Sequence, residues 1–204
     1  MTRTSYHHGA LRDTLLAACL RLIETEGLGA VSLRRVAREA GVSTGAPYHH
    51  FADRSALLAA LSSQGFRRLG SDLAEARAGA DTPMQALTAL ARVYVRFSQE
   101  NPGYFRLMFR PELSQPDKHP DAEAAGDAAF DVLADTIADA VAAGLLPADK
   151  ADTLAAMWWS LAHGVASLWL DGQLEKRSVQ LGTTAPMLVE DIMRTFTTLV
   201  GPGA

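Results

Sequence analysis

Apolar residues recur at three- and four-residue intervals along almost the entire chain, and no run alternates apolar with polar long enough to build a strand. That periodicity confines the fold to an all-α architecture of about nine helices, without internal repeats. Leu11, Leu15, Leu16, Cys19, Leu22 and Ile23 mark a helix over 8–26, closed by Gly27 and Gly29. Ser32 caps a short helix over 33–40, Gly41 turns the chain, and Ser43 or Thr44 caps a helix running through His50. Pro47 is tolerated only in a first helical turn, which restricts the start of that helix to residues 44–46. Asp53 caps a longer helix that extends to about residue 78. Further helices are expected over 82–100, 104–109, 121–143, 149–170 and 184–200, separated by the Asn101-Pro102-Gly103 break, the Pro- and Asp-containing loop over 111–120, Gly144 and Gly172.

A chain of 204 residues, 48% hydrophobic and 21% charged, buries a core without disulfide or metal staples. Its one cysteine, Cys19, excludes a disulfide framework and sits on an apolar helix face as a small core residue. No basic segment followed by an apolar one opens the sequence, so a reducing cytoplasm is the expected compartment. The longest uncharged stretch, 153–170, contains Ser160, His163, Gly164 and Ser167 and reads as a buried helix, with no membrane partner implied. Charge is distributed unevenly. Residues 1–70 carry nine arginines against five acidic residues and four of the six histidines, whereas the remainder carries ten bases against 18 acids. That split points to an N-terminal part that meets a polyanion and a C-terminal part that does not.

Within the basic part, residues 32–51, SLRRVAREAGVSTGAPYHHF, have the helix, glycine turn and short second helix of a DNA-reading helix-turn-helix. Val36, Ala37, Val42 and Phe51 supply apolar positions that lock the two helices at a fixed angle. Thr44, Gly45 and Ala46 are small or polar, so the backbone there can approach a duplex and turn its amide dipoles toward phosphate. Tyr48 is expected to donate to a phosphate and His49 to reach a base edge, with His50 beside them. Arg34, Arg35 and Arg54 flank the groove as charge-neutralising contacts. Adjacent His49 and His50 point about 100° apart on a helix, a poor metal pair. The His7-His8 pair reads as a polar terminus, although an N-terminal arm there could touch phosphate.

Over residues 8–69 the sequence resembles the TetR family of transcriptional regulators, through HGALRDTLLAACLRLIETEGLGAVSLRRVAREAGVSTGAPYHHFADRSALLAAL. The resemblance implies a helix-turn-helix DNA-binding domain over 1–53, a connecting helix over 54–80 and a ligand-binding and dimerisation domain over 81–204. It also implies base and phosphate contacts from Thr44, Gly45, Ala46, Tyr48 and His49, with Ser32, His50 and Arg54 as phosphate partners. Two positions depart from the family pattern: Thr44 stands where many relatives carry lysine, and Pro47 where they carry an aliphatic residue. NPGYFRLMF and WWSLAHGVASLWLDG look like the C-terminal subclass described by a Trp-His-Gly signature.

In the C-terminal part, Leu154, Trp158, Leu161, Ala162, Val165 and Trp169 fall on one side of a helical wheel, while Ala156, Ser160, Gly164 and Ser167 lie opposite. A helix without a charged face over that length needs cover on both sides, which implies a two-fold dimer in which this helix and the last one form a four-helix interface, the alternative being a monomer with an extra covering helix. Tyr94, Phe97, Tyr104, Phe105, Met108, Trp158 and His163 form the candidate set for a small-molecule pocket, or for ordinary core packing. The resulting expectation is a cytoplasmic homodimeric repressor that binds a palindromic DNA operator and is released by an apolar or amphipathic effector. A regulator without an effector is one alternative. An all-α enzyme is another, but the sequence offers no metal-ligand cluster, no carboxylate pair with a placed histidine and no phosphate-cradling glycine loop, so neither cofactor nor metal is anticipated.

Overall fold

The computed structural model of the chain describes residues 4–113 and 117–201, with the side chains of residues 4–9 and 111 outside that description. The His7 and His8 side chains therefore lie outside the described residues. Among the described residues there is no strand; nine α-helices and four short 3₁₀ turns carry the fold. The helices are α1 (Thr4–Glu26), α2 (Leu33–Glu39), α3 (Arg54–Ala78), α4 (Pro83–Glu100), α5 (Pro102–Met108), α6 (Pro120–Ala142), α7 (Ala151–Leu170), α8 (Gln173–Gln180) and α9 (Ala185–Val200).

Local capping chemistry accounts for several boundaries. Ser32 accepts from the Arg35 amide at 3.2 Å, Asp53 from the Ala56 amide at 2.8 Å and Thr82 from the Gln85 amide at 3.3 Å, each satisfying an amide that has no intrahelical partner. Pro102 opens α5 directly behind the α4 cap Asn101, so the Asn-Pro-Gly tripeptide is a junction between helices.

Two elements differ from the sequence expectation. Residues 44–50 do not form an α-helix; Ala46–His49 is a 3₁₀ turn without a side-chain cap, and Ser43 contributes its backbone carbonyl to the Ala46 amide at 3.0 Å. Pro47 has no amide to donate, and tighter bonds such as Tyr48 amide to Gly45 carbonyl and His50 amide to Pro47 carbonyl hold the segment, with one α-type bond from the Phe51 amide to the Pro47 carbonyl at 2.9 Å closing it. The second difference is α8, which is bracketed by Gly172 and Gly182, both at φ 69°. Its few apolar residues, with Leu174 buried and Val179 exposed, hide it from a periodicity search.

Packing sorts the residues into two compact units, Met1–Phe66 with Pro102–Gly126 and Arg67–Asn101 with Asp127–Ala204. In the first, Leu15, Leu16, Leu22, Val36, Leu57 and Leu61 are almost completely buried, each contributing about 1.5–3 kcal/mol of transfer free energy. Cys19 lies among them, and burial pushes its thiol up to about 12. Helix α5 approaches α1 at Gly103, where a Cβ would stand 2.8 Å from Glu24 Cγ and 2.9 Å from Leu20 Cδ1. It approaches α3 at Gly65, where a Cβ would stand 2.6 Å from Met108 Sδ and 2.8 Å from Tyr104 Cδ1.

In the second unit α4 packs against α7 and α9, and α8 contacts both of those helices. Leu87, Leu90 and Phe97 of α4, Leu133 and Ile137 of α6, Trp158 of α7 and Met193 of α9 are buried. Arg92 donates from Nε and Nη2 to the two Glu190 oxygens, both at 2.6 Å, tying α4 to α9 and holding the Glu190 carboxyl below its usual range. The anticipated stripe of α7 is mostly realised: Leu154, Trp158, Ala162 and Val165 are buried, whereas Leu161 and Trp169 are half-buried. One flank of α7 is not covered by the described residues, leaving Met157 and Leu168 each 49% exposed.

Gly65→Ala and Gly103→Ala are each expected to destabilise the protein by about 1–3 kcal/mol through overpacking. A lower urea midpoint with an unchanged m-value is the measurement that checks this.

Candidate nucleic-acid interface and aromatic cluster

Between α2 and α3 the chain builds a small outward-facing platform. Gly41, at φ 70°, closes α2 with a paired turn in which its amide bonds the Arg38 carbonyl at 3.1 Å and the Val42 amide bonds the Ala37 carbonyl at 3.0 Å. A side chain at that φ would be strained, so the glycine sets the exit direction of the chain. Ser43, Thr44, Gly45, Tyr48 and His49 are then exposed, Tyr48 at 54%, and Ala46 is half-exposed. Pro47 and Phe51 are buried and anchor the platform from beneath. Side chains three apart eclipse in a 3₁₀ turn, so Ala46 and His49 share the outer side while Pro47 and the half-buried His50 share the inner one.

The arginines of this unit divide into two groups. Arg35 pairs with Glu26, Arg21 with Glu39 at 3.1 Å, and the Arg12 guanidinium lies 5.7 Å from the centroid of the Phe51 ring. Arg54 donates from Nε to the Val31 carbonyl and from Nη2 to the Leu28 carbonyl, both at 2.9 Å. By contrast, Arg34 and Arg38 are exposed on α2, one helical turn apart, without an ion-pair or hydrogen-bond partner among the described residues. Thr44, Gly45, Ala46, Tyr48 and His49 thus lie on one short segment, and Ser32, Arg34 and Arg35 lie at the start of α2, where the Ser32 hydroxyl is engaged as a cap. The sequence places Arg38 toward solvent beside Arg34 without assigning it to the DNA-contact set, although its spacing from Arg34 is a readable signal.

The candidate ligand residues fall into two groups, one in each unit. In the second unit Tyr94 Oη lies 2.9 Å from His163 Nδ1 and accepts from Trp159 Nε1 at 3.3 Å. Trp158 donates from Nε1 to the Leu87 carbonyl at 3.2 Å and meets Tyr94 edge to face at 6.3 Å. Phe97 is fully buried beside them in α4. Trp159, which periodicity places off the buried stripe, also packs against Phe130 at 6.0 Å, and both rings remain partly exposed. Burial pushes the Tyr94 phenol above its usual range and the His163 imidazole below its ordinary 6.5. In the first unit Tyr104, Phe105 and Met108 are buried on α5, with Tyr104 donating to Gln64 Oε1 at 3.0 Å. A separate cleft of about 440 Å³ in the second unit is lined by Ala74, Arg77, Pro83, Ala86, Val132 and Asp139, none of them anticipated. No group of His, Cys, Asp and Glu among the described residues is arranged to hold a metal ion.

The lowered His163 imidazole makes stability depend on pH with a definite sign. As pH falls through 6.5 the unfolded chain takes up this proton before the folded one, so the contribution is present above 6.5 and lost as pH drops toward the folded value. Urea unfolding across pH 7 to 5 should show that loss, and His163→Gln should flatten it.

Comparison with known proteins accords with this arrangement. Residues 15–61 match the family described as bacterial regulatory proteins, tetR family, and residues 87–195 match the tetracyclin repressor-like C-terminal domain. The chain is 36% identical over 91 residues to the HTH-type transcriptional regulator BetI of Rhizobium meliloti (strain 1021), a match spanning 45% of each protein. It therefore spans about half the length of the curated relatives it matches. A structure of a protein with unknown function from Rhodococcus sp. RHA1 superposes with a TM-score of 0.82 at 34% identity, covering 97% of this chain and 99% of that one. A TetR family transcription regulator from Marinobacter aquaeolei VT8 shares the fold with a TM-score of 0.72 at 17% identity, over 97% of this chain and 99% of that one. No described helix is long and apolar enough to cross a membrane. With the helix-turn-helix match at one end and the C-terminal match over more than half of its length, the chain belongs to the TetR family of DNA-binding transcriptional regulators.

Proposed function

We propose that the protein is a cytoplasmic homodimeric repressor that reads a palindromic DNA operator and releases it on binding a small apolar or amphipathic effector. The observation that carries this reading is the segment 43–49, with Ser43, Thr44, Gly45, Tyr48 and His49 exposed, seated on buried Pro47 and Phe51 and following an α2 whose Arg34 and Arg38 have no partner among the described residues. Thr44, Gly45 and Ala46 bring the backbone close to the duplex, Tyr48 donates to a phosphate, and His49 reaches a base edge. Arg34 adds a salt-dependent phosphate contact at the start of α2.

Two recognition segments on one palindrome require a two-fold dimer. Support for dimerisation comes from apolar side chains left uncovered on α7 and α9: Met157 and Leu168 at 49% exposure, Met187 at 59% and Leu199 at 67%. Pairing α7 and α9 of one copy with those of another makes a four-helix bundle and buries those faces. The effector reading rests on the hydrogen-bonded group of Tyr94, Trp159 and His163 beside Trp158. An effector that prefers one of two dimer states by about 2.7 kcal/mol changes operator affinity about a hundredfold. Continuity of α3 from the first unit into the second provides the covalent route between effector and operator.

Band-shift assays on a duplex selected from a randomised pool test the operator half. Tyr48→Phe should weaken binding to every sequence by a similar factor, whereas His49→Ala should change the preference between sequences; binding untouched by both changes would overturn this reading. For the dimer, Met187→Glu combined with Leu199→Glu should yield a monomer in sedimentation analysis, and a persisting dimer would place the interface elsewhere.

A further inference from the structure

We propose that Arg54 is a positioning residue for the recognition segment, acting through the backbone ahead of α2 and not on DNA phosphate. Its guanidinium donates to the carbonyls of Val31 and Leu28, each at 2.9 Å. Val31 directly precedes the Ser32 cap of α2 and Leu28 opens the short 3₁₀ turn ahead of it, while Arg54 is the first residue of α3, just after the Asp53 cap. One planar fork therefore joins the two ends of the segment that contains α2, the Gly41 turn and the 3₁₀ turn. The fork suits this work because its donors are held at a fixed spacing, so both carbonyls are gripped at once. The edge formed by Nε and Nη2 is thereby occupied, and it is one of the edges that would otherwise grip a phosphate. Neighbouring contacts reinforce the clamp, since Arg35 ties α2 to Glu26 and Arg21 ties Glu39 to α1. Among the described residues of α2, the cations left for DNA are Arg34 and Arg38.

The inference rests on the reading that segment 43–49 enters DNA, and its test separates the two. The selected duplex and a scrambled duplex of the same length are titrated by fluorescence anisotropy between 50 and 200 mM salt, at a temperature where circular dichroism shows every variant folded. Arg54→Gln should reduce the ratio of selected to scrambled affinity on the order of tenfold while leaving the log–log salt slope unchanged. Arg54→Lys should fail to restore the ratio, because one ammonium does not reproduce the two-pronged geometry. Gly103→Ala, a destabilised variant outside the clamp, should keep the wild-type ratio. A slope reduced by about 0.9 in Arg54→Gln and restored in Arg54→Lys would make Arg54 a phosphate contact and overturn the proposal. An unchanged ratio in Arg54→Gln would overturn it too, by leaving the residue a purely structural part. If Tyr48→Phe and His49→Ala also leave binding intact, the DNA-face reading itself has failed; if they impair binding while Arg54→Gln does not, only the positioning role has.

Discussion

The turn that presents Tyr48 and His49 has no side-chain cap and contains a proline, so its direction depends on what lies beneath it and at its two ends. Pro47 and Phe51 press inward against the first unit's core, and the Gly41 turn fixes the angle at which the chain leaves α2. Hydrogen bonds mostly of 3₁₀ type would be a weak scaffold alone, since such turns have poorer bond geometry and little cooperativity. The buried anchors make the difference. They convert a short, intrinsically marginal segment into one whose outer side chains have a definite position.

The same unit shows why a count of basic residues overstates the charge available to a polyanion. Arg21, Arg35 and Arg54 are engaged with Glu39, Glu26 and two backbone carbonyls, and Arg12 lies over an aromatic ring. Exposed ion pairs of this kind contribute about 0–1 kcal/mol each, so their value lies more in orientation than in stability. Arg34 and Arg38 have no such commitment among the described residues. Charge asymmetry along the sequence thus points to the correct part of the chain, while the set of cations facing outward is a property of packing.

In the second unit, the proposed effector group and the core draw on the same residues. Phe97 is core, and the Trp158 indole is fastened to the Leu87 carbonyl. Tyr94 and His163 hold one another at 2.9 Å, with both pushed by burial toward their neutral forms. A neutral, hydrogen-bonded aromatic group of this type favours partners with apolar bodies and few, well-placed polar atoms. The uncovered apolar positions on α7 and α9 are a different matter: they are too many, on two helices that both pack against α4, to read as scattered surface residues.

Helix positions and several of their ends were legible in the amino-acid order because the governing physics is local. Ser32, Asp53 and Thr82 cap amides three residues ahead, and the α7 stripe follows from a 3.6-residue period. The family pattern over the first third was legible for a related reason, since a helix-turn-helix is short and its turn chemistry contiguous. Where two local rules competed, the outcome was less readable: Pro47 permits a first helical turn, yet the segment behind it is too short to continue, and α8 forms with too few apolar residues to show a period. Tertiary structure alone decided that Arg54 would meet Leu28 and Val31, that Glu26 would take Arg35, and that Tyr104, Phe105 and Met108 would pack in the first unit while Tyr94, Trp158 and His163 pack in the second. Those outcomes join residues distant along the chain, and a side chain's partner is chosen by the space and polar groups that folding brings to it, which no window of neighbouring residues contains.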